Sequence, residues 1–261
     1  MVDISLIKSF FPVQIRDNQL FEKHMLKEYI QLTILDYLST TPFIRKLCFI
    51  GGTNLRLVKG IDRFSEDLIF DCKNMSIEEF SQMSGNVIRY LEHNGYIVEL
   101  REKENPKLSA FRSNIYFPKL LFDLGLSGHR EERFLIKIEA QDQGVDYTPT
   151  LVNIKGCGYY FPLPVPSDAV MCAMKATALL DRAKGRDFYD LMFLLGQTSP
   201  DYDFLGKRRC IGSSEELKTA IFQVLERTDL NVKMKDFEHL LFNKNSSSRI
   251  LRFKEYIKDV I

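Results

Sequence analysis

Residues 47–71 constrain the fold of this chain more than any other stretch, because strand and turn signals follow one another closely there. The apolar run Leu47–Ile50 is typical of a buried strand. Gly51 and Gly52 come next, and a glycine pair lets the backbone turn tightly and approach a ligand. A second strand is predicted over residues 65–71, and it carries carboxylates. The pattern therefore predicts a buried strand, a glycine turn and a carboxylate-bearing strand in succession.

A short amphipathic helix is predicted for residues 53–59, directly after the glycine pair. The free backbone N–H groups at such a helix start suit a phosphate group. Carboxylates on the strand that follows suit a divalent metal ion. Together these features predict a nucleotide that is held through its triphosphate and Mg²⁺.

Side chains alternate along a strand, so Ser65, Asp67, Ile69 and Asp71 are predicted to share one face. Two carboxylates two positions apart can both reach a pair of metal ions about 3.5–4 Å apart. Asp67 is in place, but the residue two positions on is Ile69, which has no ligating atom. Asp71 lies roughly 13 Å farther along an extended strand, too far to share the ion of Asp67 unless the strand ends or bulges. The alternative is that Asp67 is a strand-end acid facing water.

A second carboxylate candidate lies on the strand predicted over residues 134–140. Lys137 and Glu139 share a face of that strand, which can pair beside the first carboxylate strand. A carboxylate on a neighbouring strand is what a polymerase-type metal site requires, so Glu139 is a candidate metal ligand beside Asp67. The alternative is an exposed edge of salt bridges.

The third group of charged residues lies between positions 175 and 190. Lys175 sits within an apolar helical stretch, which is costly unless its ammonium group meets an anion such as a nucleotide phosphate. A short cationic cluster, Arg182, Lys184 and Arg186, lies beside Asp187 and Asp190. The alternative is a network of salt bridges that joins two helices, and the two interpretations can coexist.

The remaining pattern predicts an α+β fold with two lobes. The mixed β-sheet lobe, flanked by helices, covers residues 1–160, and a helical C-terminal lobe covers residues 161–261. The elements expected before residue 166 are helices over residues 1–45, a helix opened by a capping box of Ser76 and Glu79 and ending near Gly95, strands over residues 96–100, 111–124 (interrupted or bent at Pro118) and 134–140, and a loop-rich segment over residues 141–166. After it we expect a helix that is capped by Ser167 and ended or bent at Gly185, another from Arg186, and three helices over residues 215–226, 232–242 and 247–260.

Composition argues against several classes of protein. The formal net charge of +1 provides no global field that would attract nucleic acid or a membrane. The five cysteines form no Cys-x-x-Cys pair and the four histidines are isolated, which favours reduced thiols and argues against a zinc site. No window holds the roughly 18 apolar residues of a membrane span, and the start lacks a secretory signal pattern. We expect a cytoplasmic protein with no membrane partner.

The motifs in residues 49–55, 63–68 and 175–191, in this order and at these separations, resemble the AbiEii/AbiGii nucleotidyltransferase toxins of the DNA-polymerase-β-like nucleotidyltransferase superfamily. The resemblance spans residues 20–200. It implies a nucleotidyltransferase fold whose α/β lobe holds an NTP and Mg²⁺. It also implies a toxin of a toxin–antitoxin or phage-defence system, with a cognate antitoxin as a partner and tRNA or another RNA as the acceptor.

The resemblance also implies a role for individual residues. They are Gly51, Gly52 and Thr53 at the triphosphate, Arg63 and Ser65 as nucleotide-binding residues before the carboxylate motif, Asp67 and Glu139 at the metal, Lys175 with Arg182 and Arg186 at the nucleotide phosphates, and Asp187, or Asp190 in its place, as the late acidic residue needed for activity.

One position departs from the family pattern, which has a second aspartate where this chain has Ile69. A metal site built on few carboxylates is weakened by the loss of one. Three explanations stay open: a degenerate copy, a later substitution, or a site that Glu139 or Asp71 completes. Two functions follow, a nucleotidyltransferase toxin and a protein of the same fold that binds a nucleotide or an antitoxin without turnover.

Overall fold

The computed structural model describes residues 3–101 and 110–261 of the chain. It has the predicted α+β architecture, with a mixed five-stranded sheet and many helices, so the predicted fold class is confirmed. Each helix in the described ranges is too short or too polar to cross a membrane.

The chain begins with helices, as predicted for residues 1–45. They are α1 (Ile4–Ser9), α2 (Val13–Arg16), α3 (Glu22–Ser39) and two 3-10 turns at Gln19–Phe21 and Pro42–Lys46. Helix α3 buries side chains around most of its circumference, including Met25, Leu26 and Ile30, which are each 0% exposed. A helix that is apolar all round belongs in the core, and α3 packs on the sheet side of the fold against β7 (Tyr159–Val165) and α5 (Ile77–His93).

The central sheet has the strand order β1-β2-β5-β4-β3. Its strands are β1 (Leu47–Ile50), β2 (Asp67–Cys72), β3 (Glu99–Arg101), β4 (Phe111–Tyr116) and β5 (Leu135–Gln141). Strands β2 and β5 pair in parallel, and the other neighbours pair antiparallel. The predicted strands over residues 47–50, 65–71 and 134–140 are therefore confirmed to within two residues at each end.

Helix α4 (Gly51–Leu57) begins at the first glycine itself, two residues earlier than predicted. Gly51 has φ +85°, a backbone conformation that residues with a side chain rarely adopt. This conformation lets the helix start directly from the end of β1. Ser76 caps the start of α5: its hydroxyl accepts from Glu79 N while the Glu79 carboxylate accepts from Ser76 N. The predicted capping box is confirmed.

Three sequence expectations were wrong in the sheet region. The strand predicted over residues 111–124, with an interruption or bend at Pro118, ends at Tyr116 before that proline, and α6 (Leu120–Asp123) follows the proline instead of more strand. The strand predicted over 96–100 is shorter and later. The segment predicted as a loop over 141–166 contains a hairpin of β6 (Thr150–Gly156) and β7. Its prolines are tolerated there because both strands of a two-stranded sheet are edge strands.

The C-terminal part of the chain is helical, as predicted. It contains α7 (Asp168–Arg182), α8 (Gly185–Leu195), α9 (Tyr202–Arg209), α10 (Ser214–Glu226), α11 (Leu230–Lys235), α12 (Phe253–Val260) and 3-10 turns at Glu238–Leu240 and Lys244–Arg252. Ser167 caps α7, as predicted, since its hydroxyl accepts from Val170 N. Helix α9 was not predicted, and the helices expected over 232–242 and 247–260 are each broken by 3-10 geometry.

The described chain forms two compact units, each drawn from three segments. Unit 1 contains the central sheet and comprises Met1–Val58, Ser65–Asp142 and Leu151–Val165. Unit 2 contains the C-terminal helices and comprises Lys59–Phe64, Gln143–Thr150 and Pro166–Ile261. The predicted domains, residues 1–160 and 161–261, stay a prediction, and their boundary falls within β7.

Candidate active site

The carboxylates predicted at the metal lie on one face of the sheet in unit 1. The parallel register places Asp67 beside Lys137 and Ile69 beside Glu139, while the antiparallel register places Glu139 beside Arg112 of β4. Alternation turns the intervening Leu68 and Ile138 to the buried side, where both are 0% exposed. The charged face is therefore fixed by the apolar residues on the other side of the same strands.

Two carboxylates on this face, those of Asp67 and Glu139, are engaged by cations. Lys137 Nζ lies 3.3 Å from Asp67 Oδ2 and 3.8 Å from Glu139 Oε1, so one ammonium group lies within ion-pair range of both. Arg112 Nε lies 2.9 Å from Glu139 Oε1. We call Asp67, Lys137, Glu139 and Arg112 the charged ladder. It contains two carboxylates and two cations.

Ile69 fills the position at which the family pattern has its second aspartate. A Cβ atom built on Gly51 would lie 3.1 Å from both Cβ and Cδ1 of Ile69, so the isoleucine side chain packs on the glycine turn. Asp71, the other candidate to complete the site, is 2% exposed and lies two residues beyond Ile69.

Nucleotidyltransferases generally use divalent metal ions. In the described ranges, 3–101 and 110–261, no three His, Cys, Asp or Glu side chains are grouped so that they could hold a metal ion. Asp67 and Glu139 are the two carboxylates available, and an ammonium group already lies between them. As arranged, these residues do not fit a resident divalent ion, and the predicted roles of Asp67 and Glu139 as metal ligands stay predictions.

The residues of unit 1 that are predicted to bind the triphosphate make hydrogen bonds that hold its helices and strands together. Thr53 is 1% exposed, and its hydroxyl donates to the backbone carbonyl of Asp67, which ties α4 to β2. Ser65 is 8% exposed, and its carbonyl accepts from Gln31 Nε2 at 3.2 Å. Gly51 and Gly52 form the first turn of α4. Triphosphate binding by these residues stays a prediction.

In unit 2, Asp190 is the centre of a buried ionic cluster. Arg63 binds its carboxylate through two parallel hydrogen bonds, Nε to Oδ1 and Nη2 to Oδ2, each 2.7 Å long. Lys175 Nζ donates to Oδ2 at 2.7 Å. The side chains of Arg63, Lys175 and Asp190 are 1%, 8% and 0% exposed. We call these three residues the Asp190 cluster, in which one carboxylate faces two cations.

Burial by itself would raise the pKa of Asp190, but Arg63 and Lys175 overcome that effect and lower it to about 2. The carboxylate is therefore ionised throughout the physiological range. Burial lowers the pKa of Lys175, and the attraction of Asp190 only partly offsets that effect. A second anion near Lys175 would favour its charged form.

Asp187 and Arg182 form a separate pair beside this cluster. Arg182 Nε and Nη2 donate to the two oxygens of Asp187 at 2.9 and 2.7 Å, and Lys184 N donates to the same carboxylate at 3.1 Å. Asp187 is 0% exposed and therefore joins the end of α7 to the start of α8. Arg186 is half-buried and takes part in neither pair. Catalysis by Lys175 and Asp187, and nucleotide contacts of Arg63, Arg182 and Arg186, stay predictions.

Of the two interpretations of the 175–190 segment, the structure contains the salt bridges, and phosphate binding stays a prediction. Salt bridges join α7 to α8 at Lys175–Asp190 and at Arg182–Asp187. The expected i, i+4 pair of Arg186 with Asp190 is absent among the described residues, because Arg63 occupies the carboxylate instead.

Sequence reasoning missed two cations near the carboxylates, Arg112 and Lys27. It placed Lys137 on one face with Glu139 but not beside Asp67. Lys27 of α3 lies over the Phe134 ring and 4.0 Å from Glu66; burial lowers its pKa, which Glu66 and Asp67 oppose. The strand registers that bring Lys137 and Arg112 to the carboxylates are long-range pairings, so only the charge pattern of residues 137–139 carried a local signal.

Comparisons with known proteins identify the family and the fold. A family model described as "Nucleotidyl transferase AbiEii toxin, Type IV TA system" matches residues 33–257. No curated protein matches the chain in sequence.

Two solved structures are similar in fold. MenT4, a nucleotidyltransferase toxin from Mycobacterium tuberculosis, has a TM-score of 0.60 and 17% identity over 100% of this chain and 91% of its own. JHP933 from Helicobacter pylori has a TM-score of 0.53 and 17% identity over 92% of each chain. At these identities the likeness concerns the fold alone.

Proposed function

Because the chain belongs to the AbiEii family of nucleotidyl transferase toxins, we propose that it transfers a nucleotide from an NTP to an RNA acceptor such as tRNA. A hydroxyl oxygen of the acceptor attacks the α-phosphorus in line and forms the new P–O bond. The bond from the α-phosphorus to the bridging oxygen breaks, pyrophosphate leaves, and the hydroxyl proton passes to solvent. The family also implies a cognate antitoxin as protein partner.

The observation that carries this proposal is the surplus of positive charge in the Asp190 cluster. Arg63 satisfies both oxygens of Asp190, so Lys175 is a second buried cation on a carboxylate that is already paired. One carboxylate compensates only one of the two buried cations, and an uncompensated ammonium group is costly to bury unless it meets a further anion. A nucleotide phosphate supplies that anion, and a lysine is a common phosphate ligand in nucleotide sites.

Replacing Lys175 separates a binding role from a structural one. In Lys175→Met, Asp190 keeps its two-pronged bond to Arg63, so the free energy of unfolding should change by less than about 1 kcal/mol. The affinity for NTP in calorimetry should fall at least about ten-fold. The matched control is Lys207→Met, which removes an exposed lysine of α9 in the same unit. Unchanged NTP affinity in a folded Lys175→Met protein would contradict the phosphate-binding role.

Transfer itself is tested with labelled NTPs, Mg²⁺ and total tRNA. We expect label on RNA, released pyrophosphate in equal amount, and loss of both in Lys175→Met. The Ile69→Asp variant restores the aspartate of the family pattern and should label at least as well. If neither the natural chain nor Ile69→Asp labels any acceptor, nucleotide transfer is wrong.

A second candidate function is binding of a nucleotide or an antitoxin without turnover. Ile69 in the second aspartate position and Lys137 between Asp67 and Glu139 favour it. Calorimetry with each NTP distinguishes the two functions. Tight binding without release of pyrophosphate supports the second candidate, and release above background excludes it.

A further inference from the structure

We propose that the ammonium group of Lys137 takes the place of a divalent metal ion between Asp67 and Glu139, so that the charged ladder is neutralised by the chain's own cations. The inference concerns the site used in the proposed function, but it does not depend on transfer taking place. It assigns Lys137 as the residue that decides whether unit 1 binds a metal ion.

The position of Lys137 carries the first step. Its Nζ atom is 3.3 Å from Asp67 and 3.8 Å from Glu139, so it contacts the two carboxylates that would otherwise be the ligands of an ion. The register fixes it there, because Lys137 is the direct neighbour of Asp67 and lies two residues from Glu139 on the same strand. An ion placed between the carboxylates would have to displace a covalently attached cation.

The charge balance carries the second step. Arg112 pairs with Glu139 at 2.9 Å, so the ladder has as many cations as carboxylates. A divalent ion is attracted to a site with an excess of negative charge, and affinity rises with the number of charged ligands. A neutral ladder provides no such excess.

The residue at position 69 carries the third step. Ile69 lies beside Glu139 in the register and packs on Gly51, in the place where another carboxylate would add negative charge. An apolar side chain there leaves Lys137 to balance Asp67 and Glu139. The substitution at position 69 and the placement of Lys137 therefore act in the same direction.

The test is a titration of the full chain with Mn²⁺ in the absence of nucleotide. Electron paramagnetic resonance measures the concentration of free Mn²⁺ at each step. We expect the natural chain to bind Mn²⁺ no better than Asp67→Asn does. Lys137→Met removes the ammonium group and should bind one Mn²⁺ at least about ten-fold more tightly than the natural chain. The double variant Lys137→Met with Asp67→Asn should lose that gain.

The matched control is Lys73→Met, which removes a lysine of unit 1 that pairs with Asp142 at 2.6 Å instead. It should leave Mn²⁺ binding unchanged. A folded Lys137→Met protein, judged by its melting temperature, that gains no Mn²⁺ affinity would overturn the proposal. Should Lys137→Met fail to fold, Mn²⁺ binding by the natural chain that Asp67→Asn abolishes would overturn it independently.

Failure of this proposal is distinguishable from failure of the proposed function. Tight Mn²⁺ binding by the natural chain would leave nucleotide transfer standing, whereas absence of labelled acceptor would leave the Mn²⁺ result unaffected.

Discussion

At the scale of single residues, Asp190 is a fully buried carboxylate that is ion-paired with two cations. Its carboxylate is 0% exposed and is shared by two buried cations at once. Removing the one shared counter-charge of a buried ionic group is costly, since the remaining charges stay buried without a partner. The negative charge of the Asp190 carboxylate should therefore contribute strongly to the free energy of unfolding.

The Asp190→Asn variant should lower the free energy of unfolding by about 3–5 kcal/mol, because Arg63 and Lys175 would both remain buried without a counter-charge. Urea denaturation measures the loss. The control is Glu99→Gln in the exposed pair with Arg101, where both side chains are more than half exposed and the expected cost is about 0–1 kcal/mol. Equal losses in the two variants would show that the Asp190 cluster contributes no more than a surface pair.

Stability should also fall in acid through the same carboxylate. The pKa of Asp190 is lowered from 3.8 to about 2, so the unfolded chain binds this proton at a higher pH than the folded chain does. The resulting stabilisation is complete above about pH 4 and is lost as the pH falls to about 2. Its size is on the order of 2 kcal/mol. Acid titration of unfolding free energy should show this loss in the natural chain and a smaller loss in Asp190→Asn; parallel curves would contradict the assignment.

At the scale of elements, Gly185 sets how closely the start of α8 approaches α11. A Cβ atom there would overlap the Lys233 carbonyl oxygen and lie 2.7 Å from Cδ1 of Phe237. The Gly185 N–H also donates to Asp236 Oδ2 at 3.0 Å, so the approach is held by a hydrogen bond. The glycine expected from sequence to separate two helices therefore also admits a third element.

Gly185→Ala should destabilise the chain by at least about 1–3 kcal/mol, because backbone must move to admit the methyl group. Gly85→Ala is the matched control. Gly85 lies inside α5 with nothing within 4 Å of its added Cβ, so the variant should be stabilised by up to about 1 kcal/mol. The two melting temperatures should move in opposite directions, and a shared direction would contradict the close approach at Gly185.

Elements defined by local signals could be predicted from the sequence. The capping box at Ser76, the cap at Ser167 and the apolar run of β1 each depend on residues close together in the chain. The hairpin of β6 and β7 could not, because its prolines and glycines are also typical of loops. Element type was therefore most predictable where one short segment contains its own start signal.

The candidate site was predictable in its residue types but not in its pairings. Asp67, Glu139 and Lys175 lie on strands and a helix that the sequence predicts, and their functional roles stay predictions. Arg63 meets Asp190 across 127 positions, and Lys137 meets Asp67 across 70, so no local pattern could assign either partner. The assignment of cations to carboxylates is thus decided by strand register and helix packing.

At the scale of the whole molecule, each compact unit is interrupted in sequence. Unit 2 takes Lys59–Phe64 from the interior of the chain segment that otherwise builds unit 1. A division after residue 160 would cut β7, whose Phe161, Leu163 and Val165 are buried. Folding of either part thus needs segments from both sides of that division.

Separate polypeptides of residues 1–160 and 161–261 should each fail to fold cooperatively. The second would contain Asp190 and Lys175 without Arg63, and the first would lack the buried half of β7. Thermal denaturation followed by circular dichroism measures this, with the full chain as the positive control. Mixing the two fragments should restore a cooperative transition; a sharp transition in either fragment alone would contradict the prediction.

The ion pair between Arg63 and Asp190 also limits how early the Asp190 cluster can form during protein synthesis. Arg63 leaves the ribosome 127 residues ahead of its partner, which at roughly 5–20 residues per second is an interval of about 6–25 s. Over that interval the guanidinium group must stay hydrated, and the segment Lys59–Phe64 has no helix α8 on which to settle. A nascent chain therefore cannot assemble the lysine and arginine side chains proposed for phosphate binding until most of it has been translated.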